Sequence, residues 1–315
     1  PRQYGFASSY GYLHGQIDQF SHEYKNGDRS WHRNGQFIDE TGHATDLIAD
    51  ETVRRIESAG RAGQEKPFFL HVDFSVPHYP LQEQDQWVEP YEKIIKNGSR
   101  RLFAASMTHM DDSIGRILAA LEEKNLTSNT LVFFISDNGG QQDWTGGPEL
   151  YEGRHGPYDR LGDNRPLRDW KGSLYEGGIR VPALIYWPGK ISPGSRLSAP
   201  VHAMDILPTL CGLAGAAVPE QTEVEGLDFL PAASGAAEPA GERIFYWRTG
   251  NQLALRKGDW KLIHQGGSLD SGTYELYNLA RDPYEKNDMA EQKPDISAAL
   301  SKLMEKHRAL DRITG

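Results

Sequence analysis

Apolar positions along the chain follow two periods. Residues 45–59 (TDLIADETVRRIESA) place Leu47, Ile48, Val53 and Ile56 at helical spacing, with Thr45 or Asp46 in position to cap the first turn. The clearest helix is predicted over residues 101–124, where Leu102, Met107, Met110, Ile114, Ile117, Leu118 and Leu121 share a face. Apolar runs of strand length occur at 67–75 (PFFLHVDFS), 131–135 (LVFFI) and 181–189 (VPALIYWPG), and residues 204–216 (MDILPTLCGLAGA) predict a buried helix. Strands apolar on both sides, alternating with helices, predict an α/β fold with a mostly parallel sheet covered by helices on both faces.

After about residue 225 the texture changes. Residues 243–248, 252–257, 259–264 and 273–279 read as short strands in close succession, hence an antiparallel sheet. A last helix from Asp295 sets Ile296, Leu300, Leu303 and Leu310 on one side. The expected organisation is an α/β domain over 1–225 and a small α+β subdomain over 226–315. The first 35 residues, rich in Gly, Tyr, His and Ser, predict irregular structure lining a site.

Composition narrows the functions open to such a chain. The net charge is −10, from 34 basic and 44 acidic residues, with no basic block. This argues against nucleic acid and anionic membrane as partners but leaves room for a small anionic substrate. No apolar run is long enough to span a bilayer. One cysteine, Cys211, excludes an intrachain disulfide and a cysteine-rich zinc site, and its apolar helical context reads as a buried, inert thiol. The opening residues have neither a basic region nor an apolar core, so no signal peptide is expected in them, and the missing initiator Met fits a processed chain or a fragment.

In α/β sheets ligands gather beyond the carboxyl ends of strands, and two strands here end in reactive side chains. The 67–75 run leads to His78, held between Pro77 and Pro80. The 131–135 run leads to Asp137-Asn138-Gly139-Gly140, which is good turn chemistry and equally a pair of oxygen ligands for a hard metal. A third segment, NRPLRDWKGSLYEGGIR (164–180), carries Lys171 and then Glu176-Gly177-Gly178. Singly, each has an ordinary reading: a loop histidine, a turn, a solvated lysine, a tight turn before a strand.

Taken in order they point further. The series VPHYPLQ, TLVFFISDNGG, NRPLRDWKGSLYEGGIRVPALIYWPG, MDILPTL, LRKGDWKLI and ELYNLARDPYEKND resembles the type I sulfatase family, the arylsulfatase-like branch of the alkaline-phosphatase superfamily. The resemblance covers nearly the whole chain. It implies hydrolysis of a sulfate ester of a sugar or aryl alcohol, at a Ca2+ ion (Mg2+ the alternative) ligated in part by Asp137 and Asn138. Lys171 would hold sulfate as a point charge, and His78 would contact the ester oxygen and protonate the leaving alcohol. It also implies a periplasmic, secreted or lysosomal location.

The chain departs from the family at informative places. The formylglycine nucleophile, the Asp-Asp pair that completes the metal shell and the first strands of the sheet belong to a part of the family that precedes residue 1 here. A missing N-terminal segment of the same protein is therefore the expected partner, and its absence predicts exposed apolar surface. The family usually has Gly where Asp169 stands, and residues 143–163 read as a long loop whose Arg154 and His155 could contact substrate beyond the sulfate. Two alternatives stay open: a phosphoester or phosphonate hydrolase of the same superfamily, and an inactive sulfatase-like binding module.

Overall fold

Helices form where the periodicity predicts them. In the computed structural model, which describes residues 1–61, 67–145, 147, 149–218, 224–237, 241–267, 269 and 272–311, they are α1 (Ala44–Arg61) and α2 (Gly98–Glu123). The chain divides into two compact units, Pro1–Thr130 with Gly140–Asp163 and Leu131–Gly139 with Asn164–Gly315.

The first unit is built on α1 against α2. Asn97 caps α2, its side chain accepting the Arg100 N–H at 2.8 Å. The inward face of α2 carries Ala105, His109, Met110, Ala120 and Leu121, whereas Met107 lies outside it and is exposed. One apolar cluster joins Ile17 and Trp31 to Ala44 and Ile48 of α1, and another joins Leu81 to Trp144, Tyr158 and Leu161. The first 40 residues contribute one 3-10 turn, Arg2–Tyr4, and two-residue strands, as their composition predicts. Residues 67–75 form no strand: a strand needs a neighbour's N–H and C=O groups, and no described segment pairs with this one. Phe68 and Phe69 are exposed accordingly.

The second unit holds two sheets. β1 (Val132–Ile135) leads through a helical turn, α3 (Glu176–Ile179), to β2 (Ala183–Tyr186), and β1 and β2 pair antiparallel from Val132↔Tyr186 to Ile135↔Ala183. Among the described residues every ladder is antiparallel, so the mostly parallel sheet read from the apolar strands is not seen. The connection between β1 and β2 in this unit carries one helical turn, not the covering helix a parallel crossover brings. The expected cover is incomplete too, since Leu184 and Tyr186, on one face of β2, are 68% and 47% exposed. The next helix, α4 (Ile206–Ala214), forms as predicted but buries only Thr209; Cys211 is half-buried.

The predicted antiparallel sheet is present as β3 (Ile244–Thr249), β4 (Gln252–Lys257), β5 (Trp260–His264) and β6 (Tyr274–Asn278), in spatial order β6-β5-β4-β3. Alternation along β4 sends Leu253 and Leu255 toward Leu300 and Met304 of the last helix, α5 (Pro294–Arg308), and Ala254 toward Leu174 on the opposite face. The sheet is thus buried on both faces. Lys261 shares the parity of Ile263, which puts a lysine on the face where Leu174, Tyr175 and Ile179 pack.

Candidate active-site segments

β1 delivers the Ser136–Gly140 tip, and local hydrogen bonds set its shape. The Ser136 hydroxyl donates to Asn138 O at 2.9 Å, and both the backbone N–H and the side-chain amide of Asn138 donate to Asp137 Oδ1, each at 2.9 Å. With the amide nitrogen turned inward, the second carboxylate oxygen of Asp137 and the amide oxygen of Asn138 are the donors left to the tip. That oxygen-only set suits Ca2+ or Mg2+, though two ligands fill only part of either shell.

Gly139 seats the tip on α3. Its N–H donates to Gly178 O at 2.9 Å, and a Cβ at Gly139 would overlap the carbonyl oxygen of Gly177. The segment carrying Lys171 reaches the same two glycines: Gly177 N–H donates to Arg168 O at 2.7 Å, and a Cβ on Gly177 or Gly178 would collide with the carbonyls of Arg168 and Asp169 or of Trp170 and Ser173. Only glycines let three backbone segments approach this closely. Asp169 takes the left-handed conformation, φ 69°, which explains why Gly suits this position. Lys171 lines a polar cavity of about 260 Å3 with Asp169, Ser173, Tyr175, Gln252 and Gln265.

His78 belongs to the first unit. Its Nδ1 lies 2.8 Å from Tyr79 O, and a carbonyl only accepts, so Nδ1 carries a proton. The loop after it is tied at consecutive residues. Leu81 exchanges hydrogen bonds with the Tyr158 hydroxyl through both its N–H and its carbonyl, at 3.1 Å each. The side chain of Gln82 accepts from Gln19 N at 2.7 Å, its carbonyl accepts from His43 Nε2 at 2.8 Å, and Glu83 accepts from His109 Nδ1 at 2.8 Å.

Arg154 and His155 meet the same carboxylate, with His155 Nε2 2.9 Å and Arg154 Nη1 3.9 Å from Asp18 Oδ2. Asp18 is a residue that sequence reasoning missed. Burial alone would raise its pKa, but hydrogen bonds from Ser21 N–H, His155 and Phe20 N–H outweigh it and bring the carboxyl down to about 2. His155 is thereby committed to Asp18, while Arg154 is nearly half exposed.

His43, Glu83 and His109 form a second unforeseen group, their ligand atoms within 4.8 Å of one another. The composition would suit a transition metal, but the protons oppose it. His43 Nδ1 accepts the Thr45 N–H at 3.2 Å, so the proton sits on Nε2, where it is donated to Gln82. A metal on Nε2 would have to displace that proton from a ring already capping α1. Burial pushes His43 below its ordinary pKa. Burial also works against charge on His109, but Glu83, 2.8 Å from Nδ1, and Asp46, 3.3 Å from Nε2, prevail and raise its pKa. The third unforeseen group is a buried triad, with Lys261 Nζ 2.9 Å from Glu176 Oε1 and 2.7 Å from Glu285 Oε1. A lysine flanked by Trp260 and Leu262 in a strand was the available signal.

The profile described as Sulfatase matches residues 3–216, and that described as N-sulphoglucosamine sulphohydrolase, C-terminal, matches residues 169–311. The chain is 28% identical to an N-acetylgalactosamine-6-O-sulfatase of Bacteroides thetaiotaomicron, over 82% of this chain and 50% of that protein. It is 30% identical to Arylsulfatase A of Homo sapiens, over 76% of this chain and 48% of that one. Among solved structures, Ps i-CgsB superposes with a TM-score of 0.83 at 30% identity, covering 97% of this chain and 67% of that one, and it has also been solved in complex with k-i-k-neocarrahexaose. The chain spans about half the length of the curated relatives it matches.

Proposed function

The chain belongs to the sulfatase family, and from that premise we propose that it forms part of a sulfuric-ester hydrolase acting on a sulfated carbohydrate or aryl sulfate. The observation that carries the reading is the common seat of two segments on Gly177 and Gly178, one bearing Asp137 and Asn138 and the other Lys171. Asp137 and Asn138 would hold a hard divalent cation, Ca2+ or Mg2+, through their outward oxygens. That ion, when bound, supplies positive charge against the sulfate oxygens. Lys171 adds a second, mobile positive charge from the wall of its cavity. His78, with Nδ1 fixed on Tyr79 O, gives a proton from Nε2 to the departing alcohol oxygen. Water completes the reaction, so one sulfate ester yields one alcohol and one hydrogen sulfate.

The nucleophile, a formylglycine, would come from polypeptide outside these 315 residues. The same polypeptide would extend β1 and β2 into a larger, mostly parallel sheet, a reading supported by the exposure of Leu184 and Tyr186 on β2 and of Ile135 at the end of β1. We assign residues 1–225 to the catalytic portion and 226–315 to its C-terminal subdomain, a periplasmic, secreted or lysosomal location, and Arg154 a contact with the substrate beyond its sulfate. Names of relatives, an N-acetylgalactosamine-6-O-sulfatase among them, support a carbohydrate substrate. Peptide mass spectrometry of the full-length protein tests the reading: a formylglycine residue is expected, and an unmodified Ser or Thr at the nucleophile position would overturn it in favour of phosphate chemistry.

A further inference from the structure

We propose that Lys261 and Glu285, on the C-terminal sheet and the turn after it, are positioning residues that register the cation-binding tip and the Lys171 segment against each other. The proposal rests on the reading of Asp137, Asn138 and Lys171 given above.

The geometry ties Glu176 at two points. Its side chain accepts from Lys261 Nζ at 2.9 Å, and its backbone N–H donates to Glu285 Oε2 at 2.6 Å. Lys261 Nζ closes the ring by donating to Glu285 Oε1 at 2.7 Å, and the Lys261 and Glu285 side chains are fully buried. Glu285 holds the other end of the Lys171 segment as well, because its carbonyl accepts from Arg168 Nη1 at 3.1 Å. Residues 168 and 176 bracket Lys171, so one residue clamps both ends of the stretch that carries it. Immediately after Glu176 come Gly177 and Gly178, on which the Asp137–Asn138 tip is seated through Gly139.

Stability alone does not account for this triad. Apolar side chains of matching shape commonly replace buried ion groups with no loss of stability, whereas the directional bonds of such a group specify one register. Glu285 also adopts the left-handed conformation, φ 54°, which its surroundings must impose on a residue with a Cβ. The turn that follows it is held by the Asp282 carboxylate, which accepts from the N–H groups of Lys286 and Asn287 at 2.8 Å each. Because the glycine seat leaves no slack, displacement of Glu176 passes to both site segments, and misplacement of about 1 Å is enough to reduce turnover on the order of 100-fold.

The test uses the full-length protein with Lys261→Met, Glu285→Gln and, as a control from the same unit, Arg243→Met, which breaks the buried pair with Asp205. Tb3+ luminescence titration reads cation binding, and kcat and KM for an aryl sulfate read turnover. Lys261→Met is expected to raise the half-saturating Tb3+ concentration at least about ten-fold and to lower kcat at least as much, with Glu285→Gln intermediate. Arg243→Met is expected to lower the melting temperature and leave the Tb3+ titration in place. If Lys261→Met does not fold, Glu285→Gln carries the test with a threshold of about three-fold on both readouts. A working parent whose titration and kcat stay unchanged in these variants, or move equally with Arg243→Met, overturns the positioning role alone. A parent that neither binds Tb3+ nor cleaves sulfate esters overturns the site reading and this role together.

Discussion

Asp18 and His109 show how single side chains in the first unit translate burial into pH dependence. Asp18 is held at about 2, below its ordinary 3.8, so its contribution is present above the unfolded value and lost as pH falls through about 2. Asp18→Asn is expected to cost about 2 kcal/mol at neutral pH and to flatten the acid limb of stability, measured by urea unfolding between about pH 2 and 6. His109 has the opposite sign. Its folded pKa lies above the ordinary 6.5, so its contribution is complete below that value and lost as pH rises through the folded pKa. His109→Gln is expected to remove a decline in melting temperature on the alkaline side of 6.5, and an identical decline in the variant would contradict the assignment. At the site itself, Asp137→Ala and Lys171→Ala are each expected to reduce kcat/KM for a sulfate ester at least about 100-fold with the fold intact by circular dichroism.

Among the elements, α3 has an importance out of proportion to its four residues. Gly139→Ala would drive a Cβ into Gly177 O, a backbone atom that cannot rotate away. We expect it to lower stability by about 2–3 kcal/mol and to weaken cation binding, read by thermal melts with and without Ca2+; a neutral result would mean that the tip is not seated as described. Much of this architecture was legible in the sequence. α1, α2, α5 and the four-stranded sheet follow from period alone, because each buries a face within its own unit. The tip and Lys171 were singled out through motif order. What escaped notice was pairing between distant residues: Asp18 with His155 and Lys261 with Glu176 and Glu285 are contacts that no local pattern encodes. The strand expected at 67–75 does not form, and the parallel sheet is not seen among the described residues, for a related reason: apolar content marks a segment that seeks a partner and does not say whether one is present.

On the scale of the whole molecule, the open faces and the partial coverage of relatives agree. Leu184, Tyr186 and Phe69 are exposed at 68%, 47% and 57%, on segments whose composition suits burial. The 315-residue chain by itself is therefore expected to bind the dye ANS and to associate in solution, and the full-length protein to do neither, as fluorescence and light scattering will report. Metal-assisted cleavage of a sulfate ester is the role proposed for these segments. It is tested most directly by measuring the full-length protein's hydrolysis of an aryl sulfate and the matching aryl phosphate, before and after removal of divalent cations by chelation. Faster sulfate release is expected, lost on chelation and restored by Ca2+ or Mg2+. Faster phosphate release, or sulfate release indifferent to the cation, would contradict it.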